Sequence, residues 1–400
     1  MEPDSTLSPA LLRKVVHAGT RASSFRAAAN DLQVLAEVKI SEARVRRATE
    51  RVGCERVAET AAAAKAFAEL PLPKQQQSPG PLPPEVACVQ ADGGRIQIRP
   101  RVPKSAKDQP GAQWWRETKV GCLLRLTSDR HAHDPTPTLP DVYLDFAHMA
   151  KMVREIKGFA GAVGDDEVAE SPPENVHEAP LLVNQTVVAT RENAEVFGAR
   201  LAAAAHAEGF AAASRKAFVA DGSETNWGIW RREFSHYTPI LDWIHALCYV
   251  YAAALSGVHP REGWTTYCRW AQWLWSGEVE RILEELRARQ SLLGTPATED
   301  AETSPRQRVA DALRYLDNQR ARMNYPEYRR QGLPLTSSYV ESTIKCLNRR
   351  VKGTEKFWSG GAEPLLHLVA DDLSPIAVLE NFWNSRTGHL NSQRQYAAAA

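Results

Sequence analysis

Residues 335–358 read LTSSYVESTIKCLNRRVKGTEKFW, and the rest of the chain is organised around them. Apolar side chains recur at Val340, Ile344, Leu347 and Val351, spaced four, three and four residues, which is one buried face of an α-helix. Glu341, Lys345, Asn348 and Lys352 fall on another face. A helix that offers one carboxylate and then a row of cations suits a polyanion whose phosphate is worked on at a metal. A plainer reading stands beside it. Ser338 lies three residues before Glu341, the spacing of a capping box, in which Glu341 would reach back to a backbone N–H at the helix start. Two carboxylates far upstream bear on the choice.

The 400 residues are more than one small core needs, so two or three structural units are expected. With 43% apolar and 24% charged residues the composition is globular. The net charge of +1 hides local excesses. Ala10 to Thr60 holds ten Lys/Arg against six Asp/Glu, and Arg314 to Lys356 holds ten against four, whereas Asp165 to Glu178 carries six acids and no base. Local fields of this kind steer phosphate even when the sum is near zero. The six cysteines, at 54, 88, 122, 248, 268 and 346, show neither C-x-x-C pairing nor a metal-ligand spacing with histidine, as in reduced thiols of a cytoplasmic protein. No signal-peptide pattern is seen, and the longest apolar run, Ile240 to Leu255, contains Asp242 and His245 and is too short to span a bilayer. A soluble, intracellular protein without a membrane partner is expected.

Phe25, Ala28, Ala29, Leu32 and Leu35 mark a first helix. Ser41 is a good N-cap for a second, running to about Val52 with Val45, Ala48 and Val52 inward and Arg44, Arg47 and Arg51 outward. Two short helices joined by a tight turn, the second basic, match a helix-turn-helix that reads DNA, although any surface helix can carry three arginines. Ala58 to Leu70 extends this unit, so residues 1–70 form the expected DNA-binding region. The Pro-rich stretch 71–85, PLPKQQQSPGPLPPE, is a linker.

In VACVQADGGRIQIRP, residues 86–100, a strand leads into Asp92, and Gly93-Gly94 reads as a tight turn before a second strand. A carboxylate at a strand end beside glycines is a common place for a metal ligand, and Asp-Gly is equally an ordinary hairpin turn. Further strands are expected at Trp115 to Leu126, Leu181 to Thr190 and Arg215 to Gly222, the last ending on a second Asp-Gly at Asp221. Pro135 to Glu178 reads as loop, and Asn193 to Gly209 as an Ala-rich helix. Pro239 to Leu241 is a short strand running into a helix that starts at Asp242-Trp243-Ile244-His245, where Asp242 reads first as a cap and His245 as a core histidine. Ala246 to Gly294 and Arg306 to Met323 are helical, with Trp264, Trp270, Trp273 and Trp275 read as core before base-stacking residues. Leu365, Leu366, Leu368 and Val369 suggest a closing helix, and Ser385 to Ala400 a frayed tail.

Asp92, Asp221 and Glu341 can meet only if these strands form one sheet with the Glu341 helix on its face. Three oxygen-bearing acids are enough to hold two divalent cations about 4 Å apart, the arrangement that neutralises both attacking and leaving oxygens of a phosphodiester, and such ligands select Mg²⁺ or Mn²⁺.

The motifs VQADGGRIQIR around Asp92, WWRETKVG (114–121), VATRENAEVFG (188–198), VADGSETNWGIW around Asp221, ILDWIH and the long run from LRYLDNQRARMNYPEYRRQGLPLTSSYVE to FWSGGAEPLLHL follow one another in the chain. In this order they resemble the DDE transposases of bacterial insertion sequences, and within these are similar to the Kra-type group related to Mutator-like enzymes. The resemblance implies an α/β fold: a ribonuclease-H-like mixed sheet flanked by helices at 86–245 and 335–384, an all-helical insertion at 246–334, and an N-terminal helix-turn-helix. It implies Asp92, Asp221 and Glu341 as catalytic, metal-binding acids for two Mg²⁺ ions, with Mn²⁺ as a substitute. Asp242 and His245 match a supporting D-x-x-H element, and Tyr339, Lys345 and Arg349, with Lys352 beside them, would contact DNA. The implied activity is cleavage and strand transfer of DNA ends by an oligomer assembled on them, in the bacterial cytoplasm. A structure-selective nuclease on the same fold and a non-catalytic DNA-binding derivative are the alternatives.

Overall fold

The structure, a computed structural model, describes residues 7–79, 82–98, 115–157, 180–352, 358 and 360–386. The acidic stretch 165–178 and almost all of the terminal stretch from Ser385 fall outside them.

Five strands form one open, mixed sheet: β1 (Val86–Gln97), β2 (Trp115–Thr127), β3 (Leu181–Thr190), β4 (Arg215–Ala220) and β5 (Thr238–Leu241), in spatial order β3-β2-β1-β4-β5. The β1–β2 and β2–β3 pairs are antiparallel, and β4 and β5 run parallel to β1. Chain connections explain the switch. A parallel neighbour needs a crossover, and α6 (Ala194–Ala207) and α7 (Glu224–Glu233) supply the two that lead into β4 and β5. Val86 to Ala91 is buried at every position, as a central strand covered on both faces requires.

Several expectations are corrected. No hairpin forms at Gly93-Gly94: neither glycine has a positive φ, β1 continues to Gln97, and both pair across to Lys119 and Thr118 of β2. The absent side chains matter for fit instead, since a Cβ on Gly94 would lie 2.9 Å from Thr118 Oγ1. Part of the expected loop after Pro135 is a 3₁₀ turn (Asp141–Leu144) and α5 (Phe146–Lys157), and α7 was not foreseen.

At the N-terminus an unexpected α1 (Pro9–Arg21) packs with α2 (Phe25–Ala36) and α3 (Glu42–Ala68), and a one-turn α4 (Leu72–Gln75) forms at the start of the expected Pro-rich linker. α3 is one helix of 27 residues where two pieces were expected, because nothing between Val52 and Ala58 breaks it. Gly53 sits where α3 crosses α14 (Ala362–Asp372); a Cβ there would meet the Pro364 carbonyl oxygen at 2.5 Å. The turn between α2 and α3 lacks glycine, and Glu37 takes the left-handed conformation at φ 54°. Leu12, Val15, Phe25, Leu32, Val45 and Val52 form a core that also takes in Leu368, Phe382 and Trp383, so this unit is packed against the chain's other end.

Between β5 and α13 (Ser338–Val351) lie α8 (Trp243–Leu255), α9 (Pro260–Trp275), α10 (Val279–Leu293), α11 (Pro305–Gln319) and α12 (Tyr325–Arg330). Trp270 and Trp275 are buried as expected, whereas Trp264 and Trp273 are only partly covered, Trp273 under Arg269 and Arg281; this segment shares one continuous hydrophobic cluster with the sheet. On α13, Val340, Leu347 and Val351 are buried as expected. Among the described residues no helix is long and apolar enough to cross a membrane.

Buried polar contacts lock the layers. Glu363 at the start of α14 accepts hydrogen bonds from the Thr190 hydroxyl (2.5 Å) and the Arg191 amide (2.7 Å), and pairs with Arg200 (3.1 Å) and His367 (3.1 Å). Burial alone would raise its pKa, but these partners together hold it down at about 2. A carboxylate whose pKa is lowered on folding contributes stability above its ordinary value and loses it as pH falls towards the folded value. Glu363→Gln is therefore expected to lose on the order of 2 kcal/mol at pH 7 in urea denaturation, with the difference from the parent closing between pH 4.5 and 2.

Candidate functional site

Three aspartates lie at matching heights on the parallel strands: Asp92 within β1 just past the end of its pairing with β4, and Asp221 and Asp242 immediately after β4 and β5. Asp92 and Asp221 each lie two residues beyond the Gln90–Val219 rung of β1 and β4, and Asp221 and Asp242 each lie one beyond the Ala220–Leu241 rung of β4 and β5. Neighbouring strands are about 4.8 Å apart, so the fold sets the three carboxylates in a row along one sheet edge. In an open sheet of this kind the carboxyl ends of parallel strands are where a crevice forms.

Asn226 on α7 occupies the gap where β1 and β4 part. Its amide donates to the Ala91 carbonyl (3.0 Å) and to Asp221 Oδ1 (2.9 Å). The Ser223 amide donates to the same oxygen, and Gly222 at φ 94° turns the chain. From the helical segment, Tyr315 donates to the Asp221 carbonyl (2.6 Å) and Gln319 to that of Gly222 (3.1 Å). The Asp221-Gly222 turn is therefore gripped from both sides. On β1, the Gly93 amide donates to Asp92 Oδ1 (2.6 Å). Each aspartate thus has one oxygen oriented by backbone amide, and among the described residues its other oxygen accepts no hydrogen bond.

Glu341 arrives from α13. The capping-box expectation fails: Ser337 is the N-cap, and Glu341 accepts only from the Ser337 hydroxyl (3.3 Å) among the described residues, not from a backbone amide at the helix start. Two other residues hold that first turn. Gln90, fully buried, donates to the Thr336 carbonyl (2.8 Å) and accepts from the Val340 amide (3.1 Å). Asp242 takes the Ser337 amide and hydroxyl on one oxygen, and the His245 amide and ring Nδ1 on the other. Gln90 precedes Asp92 by two residues on one strand, so both face α13.

Asp242, His245 and Glu341 have ligand atoms within 4.8 Å of one another. Asp242, however, is 1% exposed and already accepts four hydrogen bonds, one of them as the expected cap of α8. Its part is to position Ser337 and His245. His245 in turn lies 4.0 Å from Glu341 Oε1.

Burial, then the charges of Asp221 and Asp242, raise Asp92 to about 6, with His245 and the Gly93 amide opposing. Glu341 is raised by burial and then by Asp242 and Asp92, with His245 again opposing. Asp242 is lowered, because the bonds from His245 and Ser337 together outweigh its burial. These acids feel one another across a half-buried crevice, an arrangement that favours a bound cation.

The expected nucleic-acid contacts divide. Lys345, Arg349 and Lys352 are exposed along α13, with Lys352 over the Trp115 ring, and Tyr339 is half-buried. Arg47 is exposed, whereas Arg44 and Arg51 are partly covered. Gln90, Asn226, Ser337 and Tyr315 were missed. Asn226 stands five residues after Asp221, Gln90 two before Asp92 and Ser337 four before Glu341, each within a quoted motif, whereas no local spacing links Tyr315 to the acids.

No protein-family model matches the chain, and no curated protein matches it significantly.

Two outcomes test this geometry. Gln90→Leu strands the Thr336 carbonyl and leaves the Val340 amide only its bond to the Ser337 carbonyl, and is expected to lose about 2 kcal/mol in denaturant unfolding. Asp92→Asn removes a carboxylate whose charge the fold disfavours. It is expected to raise the melting temperature of metal-free protein above pH 6, with the gain shrinking between pH 6 and 3.8 and vanishing only below that, where the parent's Asp92 is protonated in both states. Added Mg²⁺ should stabilise the parent and not this variant.

Proposed function

We propose that the protein is a metal-dependent DNA transposase of the DDE type, built on a ribonuclease-H-like fold with an α2–α3 helix-turn-helix and a helical insertion at 246–334. The observation that carries the reading is the register of Asp92 and Asp221 on adjacent parallel strands, with Glu341 presented opposite them by α13. The strand order and directions are compatible with that fold.

Asp92, Asp221 and Glu341 fit two Mg²⁺ ions, or Mn²⁺, through their oriented and otherwise unengaged carboxylate oxygens. When bound, such ions supply an activated water and neutralise charge at the attacking and leaving oxygens of a phosphodiester. Asp92 and Asp221 meet the phosphate from the sheet edge and Glu341 from the helix. His245, held by Asp242, faces Glu341 and tempers the negative charge there. Lys345, Arg349 and Lys352 line the exposed face leading away from Glu341 and hold backbone phosphates. Arg44, Arg47 and Arg51 contact the element's terminal repeats. The working form is an oligomer assembled on two DNA ends, in the bacterial cytoplasm.

The experiment is strand cleavage and joining with labelled oligonucleotide ends under Mg²⁺ and Mn²⁺. Asp221→Asn is expected to lose at least about a thousandfold in cleavage while keeping DNA affinity. Cleavage without joined product sinks strand transfer in favour of a nuclease. An unaltered activity in Asp221→Asn sinks the catalytic reading altogether.

A further inference from the structure

A cleft of about 470 Å³ opens beside the acids, lined by Arg116, Glu117 and Lys119 of β2, Arg191 and Asn193 before α6, and Thr225 of α7. Register places it. Lys119 pairs with Gly93, the neighbour of Asp92, and so faces away from α13; Gly121, two residues on and on the same face, packs against Phe197 and Leu201 of α6. The cleft therefore lies along the same sheet edge as Asp92 and Asp221 but on the α6–α7 side. Thr225 adjoins Asn226, which bonds Asp221.

Two of its cations, Lys119 and Arg191, are poorly neutralised. Lys119 is 8% exposed, and among the described residues its ammonium makes one ion pair, with Glu117 at 3.0 Å, whose own side chain is 59% exposed. A buried ammonium carries three donors, so two remain for something in the cleft. The Nε of Arg191 is buried and has no hydrogen-bond partner. Three cations face two carboxylates, Glu117 and Glu192, in one concave pocket. Buried donors of one sign left without acceptors call for an anion with several oxygens.

We propose that this cleft binds a backbone phosphate of the DNA, so that the duplex is held on the α6–α7 side of the sheet edge while the acids act on the α13 side. The inference rests on DNA being the substrate. It adds Lys119 and Arg191, with Arg116, to the DNA-binding surface, apart from the α13 cations.

Fluorescence anisotropy of a labelled duplex, titrated against the full-length protein over a range of salt, tests it. Arg191→Ala and Lys119→Met are each expected to weaken binding about three- to tenfold and to lower the slope of log affinity against log salt by about one. Glu192→Gln is expected to tighten binding, a gain that a folding defect does not mimic. Inorganic phosphate at millimolar level should compete in the parent more than in Arg191→Ala. Unchanged affinity and slope in all three variants overturns the cleft, as does phosphate uptake without any change in DNA affinity, which marks a free-anion site. The two readings fail separately. Weakened binding in Arg191→Ala and Lys119→Met with no cleavage by the parent keeps the cleft and removes the transposase; cleavage with unaltered binding does the reverse.

Discussion

The structure depends most on how the first turn of α13 is fastened to the sheet. A helix start leaves backbone amides without partners. Here Gln90 of β1 takes the Val340 amide and Asp242, directly after β5, takes that of Ser337, while Gln90 also donates to the Thr336 carbonyl. Both clamps come from strands that carry site acids. Satisfying the helix end and setting the position of Glu341 are thus one event. Because Gln90 and Asp242 are almost fully buried, loosening either would leave unpaired polar groups in a dry interior.

That fastening works against electrostatics. Asp92, Asp221, Asp242 and Glu341 gather at one edge beside the His245 imidazole, and two of them are raised in pKa by burial and mutual repulsion. Backbone geometry keeps them together: parallel pairing fixes the heights of the aspartates, and the amides of Gly93 and Ser223 fix their orientations. Asp242 differs in kind from its neighbours. Its four accepted bonds keep it ionised and make it structural, leaving Asp92, Asp221 and Glu341 with unengaged oxygens for a ligand.

Parts remote in sequence reach the same place. Tyr315 and Gln319 of the helical segment grip the Asp221-Gly222 turn. At its far end, α13 sets Arg350 over the adjoining rings of Phe25 and Trp358 and donates from it to the Gly19 carbonyl, joining the helix that bears Glu341 to the N-terminal helices. Arg56 pairs with Asp371 and Thr60 contacts His367, so α3 is also tied to α14 and, through Glu363, to the end of β3. An altered N-terminal unit is mechanically connected to the acid edge by ordinary packed polar contacts.

Local pattern in the sequence determined much of this. The four-three-four spacing in α13 placed its buried face, the apolar runs placed the strands from β2 to β5, and Asp221-Gly222 marked a real turn, because each depends on side-chain periodicity or on one residue's backbone freedom. Where the same letters suited two structures, only the tertiary fold chose. Asp92-Gly93-Gly94 is a hairpin signal, yet pairing with β2 along its whole length kept β1 extended. Ser338 and Glu341 have capping-box spacing, yet acceptors from Gln90 and Asp242 reached the helix start first and left Glu341 turned to the crevice. Gln90 and Tyr315 gained their roles from partners tens or hundreds of residues away, and a contact of that range leaves no periodicity in the chain for a local reading to find.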